Sequence, residues 1–218
     1  MRRKIEHEEE AGGSPELSAF AGEEARRYVE RHRKLAGFQF GAVLKDIKAF
    51  GISGNYLEIG AGPGILAAMI AESIPQVTIT AVDLSPDMVA IAEEHIKERK
   101  LQDTVRCLIG DASDEKMMAG LGKFDIVYSA FTLHGWSEPE KIIGNLWNAM
   151  KDNGILYLFD FKRVWWLYYL PLNSRDIRAV RASYVSREVK AILREANITQ
   201  YRVRTPFPFF WQSLVARK

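Results

Sequence analysis

Gly60-Ala61-Gly62-Pro63-Gly64 follows the short apolar run Tyr56-Leu57-Glu58-Ile59 and precedes the helical pattern ILAAMIAES of residues 65–73. Glycines at such a junction let the backbone approach a ligand closely, and the helix N-terminus offers N–H groups to negative or polar atoms. The next β-branched run, VTITAV, ends at Asp83. A carboxylate there can accept from both hydroxyls of an unphosphorylated ribose. A dinucleotide fingerprint would need a small residue three places after the second glycine, but Ile65 stands there. Glu58, two residues before the first glycine, suits a cationic group better than a pyrophosphate. A ligand with ribose hydroxyls at one end and an ammonium at the other satisfies both acids.

Downstream, Leu133-His134-Gly135-Trp136 holds the histidine best placed for chemistry. At neutral pH it can serve as a general base toward a hydroxyl or amine; alternatively it shapes the loop through a backbone hydrogen bond. His7, His32 and His95 lie on charged stretches and read as solvated, and Cys107 reads as an inert, buried strand thiol. No grouping has compelling metal-ligand spacing, so no metal is expected. Trp165, Trp166 and Tyr169 belong to an aromatic run (WWLYYL) that can wall an apolar or aromatic substrate pocket, pack on the sheet, or lie at a membrane interface. Arg175, Arg178 and Arg181 recur every three residues; they would form one helix face, read first as solvated and second as an anion site.

These residues need a frame. Residues 1–13 read as a frayed tail, Ser14-Pro15 as the start of a helix to about Leu35, and residues 41–50 as a second helix stopping at Gly51. Strand-like runs then alternate with helical patterns: 56–59, 77–82, 105–109, 124–129 and 155–161 as strands, with helices at 65–73, 86–100 and from Ser137 to near Gly154. Near-continuous apolar strands separated by helices indicate an α/β fold with a parallel sheet covered on both faces. After a helix over 186–196, the runs 198–205 and 209–216 have no helix between them, which predicts an antiparallel C-terminal hairpin.

The 218 residues suffice for one large domain or two small ones, and 47% hydrophobic with 27% charged residues exclude a disordered chain, a collagen-like fibre and a disulfide scaffold. One cysteine suits a reducing compartment, no apolar run approaches 18 residues, and the charged N-terminus does not read as a signal peptide, so a cytoplasmic location is expected. The net charge of +2 conceals an asymmetry: 12 Lys and Arg face 3 Asp and Glu from Phe161 onward, against 18 and 25 before it. Such a division points to an anionic partner or to subdomain packing.

Taken in order, Glu58-Ile59-Gly60-Ala61-Gly62-Pro63-Gly64, Asp83, Gly110-Asp111-Ala112 and Phe124-Asp125-Ile126-Val127 resemble the motifs of class I S-adenosylmethionine-dependent methyltransferases. Leu133-His134-Gly135-Trp136 is similar to the Leu-His-His-Trp-like loop of small-molecule members, with Gly135 at the second histidine. The resemblance spans about residue 51 to the C-terminus. It implies a Rossmann-like, doubly wound seven-stranded sheet, mostly parallel, whose seventh strand inserts antiparallel between the fifth and sixth. It also implies residues 51–218 as the catalytic domain, with a substrate-recognition insertion near 163–185, and residues 1–50 as a tail and helical cover. S-adenosyl-L-methionine is the implied cofactor. Gly60, Gly62 and Gly64 would line its methionine part, Glu58 would face the amino group, and Asp83 would take the ribose. Leu84 and Met88 would pack on the adenine, Asp111 would accept from the adenine amino group unless it only caps the turn after Gly110, Ala112 would meet the ring, and Ser129 would sit near the sulfonium.

The expected function is methyl transfer to a small, aromatic or apolar molecule, with His134 as catalytic residue and Trp165, Trp166 and Tyr169 against the substrate. The alternatives are an RNA or protein methyltransferase and a non-catalytic cofactor-binding partner protein. The basic C-terminal quarter favours nucleic acid; Ser129-Ala130-Phe131-Thr132, in place of the Asn/Asp-Pro-Pro-aromatic motif of base-amine methylation, speaks against it.

Overall fold

The computed structural model describes residues 23–166, 175–206 and 209–218, with side chains in the first helix from residue 36. In chain order the elements are α1 (Glu23–Ala49), β1 (Gly54–Ile59), α2 (Ile65–Ser73), β2 (Val77–Asp83), α3 (Pro86–Glu98), β3 (Val105–Ile109), α4 (Glu115–Gly120), β4 (Phe124–Ala130), a 3₁₀ turn (Leu133–Gly135), α5 (Pro139–Asn148), β5 (Met150–Phe161), α6 (Arg175–Ala182), α7 (Ser186–Glu195), β6 (Tyr201–Arg204) and β7 (Trp211–Arg217).

Among the described residues the strands form one seven-stranded sheet in the order β3-β2-β1-β4-β5-β7-β6. β1 to β5 pair in parallel, while β7 runs antiparallel to both β5 and β6, so it is inserted between the fifth and sixth strands as expected. Strand alternation separates two cores. Leu57, Val127, Leu156 and Leu158 meet Ile142, Ile143, Val189 and Leu193 of α5 and α7. Tyr56, Ile126, Tyr128 and Tyr157 on the other face meet Val43 and Ile47 of α1 and Leu66 and Ile70 of α2.

Several boundaries differ from the sequence reading. The two N-terminal helices are one: α1 runs unbroken through Gly37 and Gly41. Each glycine costs a helix interior about 1 kcal/mol relative to alanine but removes no hydrogen bond, and burial of Val43 and Ile47 outweighs that cost. Ser14-Pro15 and the 1–13 tail lie outside the described residues. α5 begins at Pro139 after Glu138, without the Ser137 capping box, and ends at Asn148, leaving Gly154 inside β5. There the ladder jumps from Phe124↔Met150 to Ile126↔Ile155, and Asn153 takes a left-handed φ of 64° within the irregularity. A Cβ on Gly154 would stand 2.9 Å from the Lys151 carbonyl oxygen, so the glycine permits the bulge rather than ending the helix.

Candidate active site

The C-terminal ends of the five parallel strands share one edge, and the sheet order reverses between β1 and β4. Open α/β sheets bind ligands in the crevice at that reversal. The 60–64 loop occupies it. Gly60 and Ala61 donate to the Val82 carbonyl at 2.8 and 3.1 Å, and Gly60, Gly62 and Gly64 all have left-handed φ, at 69°, 52° and 68°. A Cβ on Gly60 would collide with Thr132, and one on Gly64 would meet Ala92 of α3 at 3.2 Å. A Cβ on Gly62 would meet nothing within 4 Å, so this glycine borders open space. Gly64 provides the close helix approach, which is why Ile65 is tolerated where a dinucleotide fingerprint has a small residue.

Asp83 is 8% exposed, at the end of β2. Its Oδ2 accepts from Gly62 N–H at 2.6 Å and its Oδ1 from Ser85 N–H at 2.9 Å. Burial pushes this carboxyl above its ordinary value, against the N–H groups of Ser85, Gly62 and Leu84, which favour the ionised form. A carboxylate has about four lone-pair positions, so these bonds leave capacity for ligand hydroxyls. Leu84, and Ile109 paired in register with Asp83, are 43% and 59% exposed, giving an apolar surface beside the acid. Met88 is buried in the first turn of α3, where its N–H donates to the Ser85 hydroxyl. Asp111 is exposed and accepts from Ser113 N–H at 2.7 Å; Ala112 is buried and its carbonyl accepts from Asn145.

Glu58 is 3% exposed and accepts from the hydroxyl of Tyr128, its register neighbour on β4, at 3.0 Å. Burial raises its carboxyl to about 8, and nearby Asp83 adds to the rise while the Tyr128 hydrogen bond lowers it. Ser129 is buried; its hydroxyl donates to the Ile59 carbonyl at 2.6 Å and bonds the Thr132 hydroxyl, tying the end of β4 to the base of the glycine loop. Between them Phe131 holds a left-handed φ of 59°, a strained backbone for an aromatic residue.

His134 lies in the 3₁₀ turn, held by a residue the sequence reading does not single out. Asp160 of β5, 2% exposed, accepts from the His134 backbone N–H at 2.7 Å and meets the ring Nδ1 at 2.9 Å, and Phe161 N–H donates to its Oδ1 at 2.7 Å. An ionised carboxylate only accepts, so this pair puts the neutral ring's proton on Nδ1 and the basic lone pair on Nε2. The available signal was a lone acid in the apolar run ILYLFDF.

His95 is a correction. It is 4% exposed, not solvated. Its Nδ1 lies 3.1 Å from the Pro63 carbonyl and its Nε2 accepts from Arg99 Nε at 3.1 Å, while Arg99 forks onto Glu72 at 2.6 and 2.7 Å. A carbonyl accepts and a guanidinium donates, which fixes a neutral ring with its proton on Nδ1. Charged neighbours misled because His95 falls on the inward stripe of α3 with Met88 and Ala92. Cys107 is half-buried, not fully buried, and burial, with Glu93 and Glu58 nearby, pushes its thiol up to about 11. Trp165 and Trp166 are 75% and 45% exposed beyond β5; Tyr169 lies outside the described residues. Among the described residues no three His, Cys, Asp or Glu side chains gather to hold a metal, and no helix is long and apolar enough to cross a membrane.

Residues 57–156 match the family model of a methyltransferase domain. That match covers just under half of the chain, and the fold around it is that of class I S-adenosylmethionine-dependent methyltransferases. Over 105 residues it is 31% identical to malonyl-[acyl-carrier protein] O-methyltransferase of Paenibacillus sp. (strain JDR-2), covering 48% of this chain and 38% of that one. Over 143 residues it is 31% identical to demethylmenaquinone methyltransferase of Thermus thermophilus, covering 63% and 62%. The alignments thus span less than two thirds of either relative. A SAM-dependent methyltransferase of Aquifex aeolicus has the same fold, with a TM-score of 0.63 at 23% identity over 79% of this chain and 87% of that one. The shared fold includes the inserted β7 and the glycine loop at the reversal of the sheet.

Proposed function

We propose that this chain methylates a hydroxyl or amine on a small molecule with an apolar or aromatic body, using S-adenosylmethionine. The observation that carries this reading is the His134–Asp160 pair standing at the strand ends beside the glycine loop. The loop itself fits the cofactor: Gly62 borders open space, Glu58 and Asp83 are acids suited to an ammonium and a ribose, and Leu84 and Ile109 expose apolar surface. Bound S-adenosylmethionine supplies an electrophilic methyl on a sulfonium, which leaves alignment and proton removal to the protein.

Gly60, Gly62 and Gly64 would hold the methionine part and Glu58 would balance its amino group. Asp83 would bind the ribose hydroxyls, Leu84 and Met88 the adenine faces, and Asp111 and Ala112 the adenine edge. Ser129 would bound the reacting end. His134 Nε2 would take the acceptor's proton while Asp160 stabilises the resulting imidazolium. Trp165, Trp166 and Tyr169 would cover the acceptor and exclude water. The relatives named above act on malonyl-[acyl-carrier protein] and demethylmenaquinone, which supports an acceptor other than nucleic acid. The single cysteine is in keeping with a cytoplasmic setting.

Calorimetric titration with S-adenosylmethionine tests the reading. Wild type binds, and Asp83→Ala loses about tenfold or more in affinity, since charge-assisted hydrogen bonds from two hydroxyls disappear. No binding by wild type at millimolar cofactor would overturn the proposal, and unchanged affinity in Asp83→Ala would overturn the ribose assignment.

A further inference from the structure

The chain leaving β5 builds a second feature beside the His134–Asp160 pair. Lys162, Arg163, Val164, Trp165 and Trp166, with Val185 opposite, line a cleft of about 380 Å³. Trp165 is 75% and Trp166 45% exposed here, and exposed apolar surface of this kind marks contact with a ligand or partner. The facing walls are tied together. Arg163 N–H donates to the Tyr184 carbonyl at 3.4 Å, and the Gln212 amide donates to the carbonyls of Phe161 and Tyr184 at 3.1 and 2.7 Å. Arg163 also pairs with Glu188 at 2.6 Å.

The charge on these walls is one-sided. Glu188 answers Arg163, while among the described residues the lining holds no carboxylate beside Lys162. Lys162 follows the end of β5 two residues after Asp160, and two residues of extended chain span at most about 7 Å. Lys162 therefore follows closely on the carboxylate that holds His134, and the cleft adjoins the reacting end. The helix packed against the His134 turn is α6, whose described charged residues are Arg178 and Arg181. The whole segment from Phe161 carries 12 basic residues against 3 acidic ones.

We propose that the cleft is an anion subsite for the methyl acceptor: the acceptor carries a carboxylate or similar oxyanion that meets Lys162, on an aromatic or apolar body that lies along Trp165 and Trp166. This rests on the methyl-transfer reading of the neighbouring site and narrows it to an acidic small molecule. A charged group alone gains little at a partly exposed lysine, and flat apolar surface alone does not select an acid; the two together select an aromatic acid.

The probes are anilinonaphthalene sulfonate and its uncharged parent phenylnaphthylamine, which share rings and differ in the oxyanion. Binding is followed by their emission in wild type, Lys162→Gln, Lys162→Arg and the Trp165→Ala/Trp166→Ala double variant. The sulfonate binds wild type and Lys162→Arg about tenfold more tightly than the parent, Lys162→Gln removes that preference, and the double variant weakens both probes. Equal affinity for the two probes in wild type, or a preference untouched in Lys162→Gln, would overturn the subsite. Sedimentation with phosphatidylglycerol vesicles but not phosphatidylcholine ones, lost in Lys162→Gln, would overturn it in favour of a membrane surface. S-adenosylmethionine titration of the same samples keeps the two readings apart. Absent cofactor binding condemns methyl transfer, whereas cofactor binding without a sulfonate preference condemns only the subsite.

Discussion

Glu58 is the side chain whose protonation the site most directly controls, and His134 is the one placed to receive a proton. Glu58 is buried beside Tyr128 with Asp83 nearby, and its carboxyl is raised to about 8. Between its ordinary range near 4.5 and about 8 the folded chain holds a proton there that the unfolded chain has released. Stability from this group is therefore full below about 4.5 and declines as pH rises toward 8, by on the order of a few kcal/mol. A cationic ligand favours the ionised form, so cofactor binding at pH 7 should expel about one proton. Calorimetry in two buffers of different ionisation enthalpy reads this release, and Glu58→Gln should abolish it together with the declining limb of thermal stability. Equal proton release in wild type and Glu58→Gln would remove Glu58 from the cofactor site. For His134, substitution by alanine should lower turnover of a hydroxyl acceptor by about 10²–10⁴-fold, and Asp160→Asn should lower kcat with cofactor affinity unchanged. Full kcat in His134→Ala would assign the histidine to loop shape alone.

At the scale of elements, the glycine loop is held from both sides. Ser129 and Thr132 grip its entrance at Ile59 and Gly60, and α3 grips its exit through His95 on the Pro63 carbonyl. Replacing His95 with alanine leaves that contact unmade and Arg99 without its ring acceptor. S-adenosylmethionine affinity should fall by about tenfold, and His95→Gln, which can still donate to a carbonyl, should recover part of it. The measurement is calorimetric Kd beside a melting curve, because a purely structural role would lower the melting temperature and leave the Kd of the folded fraction alone. The strand ends were legible in the sequence because each combines an apolar run with a punctuating Gly or Asp. Glu58, the three glycines and Asp83 were legible for the same reason. His95 and Asp160 were not. One hides on the inward stripe of a helix flanked by charge, and the other is an ordinary acid until the fold brings β5 beside the 133–135 turn. The continuous α1 and the early start of β5 escaped because glycine signals a break locally, while burial and a bulge in the ladder decided otherwise.

At the scale of the whole molecule, the methyltransferase-domain match begins at residue 57, but the core begins earlier. Val43 and Ile47 of α1 are fully buried against the sheet face that carries Tyr56, Ile126 and Tyr157. The Tyr157 hydroxyl donates to Asp46 at 2.9 Å across 111 residues of sequence, and Phe50 meets the same ring edge-on at a centroid distance of 5.7 Å. α1 therefore closes one face of the sheet on which the glycine loop is mounted. Ile47→Ala should destabilise the chain by about 2–5 kcal/mol, the usual cost of emptying a filled core position, read as a shift in urea midpoint at constant slope. A chain starting at residue 51 should lose more: without the helix, Tyr56, Ile126 and Tyr157 face water along a twisted sheet, and an uncovered apolar face of that extent drives association. A truncated chain that stays monomeric and binds S-adenosylmethionine with wild-type affinity would make α1 a dispensable cover; an aggregated or cofactor-blind one makes it part of the domain.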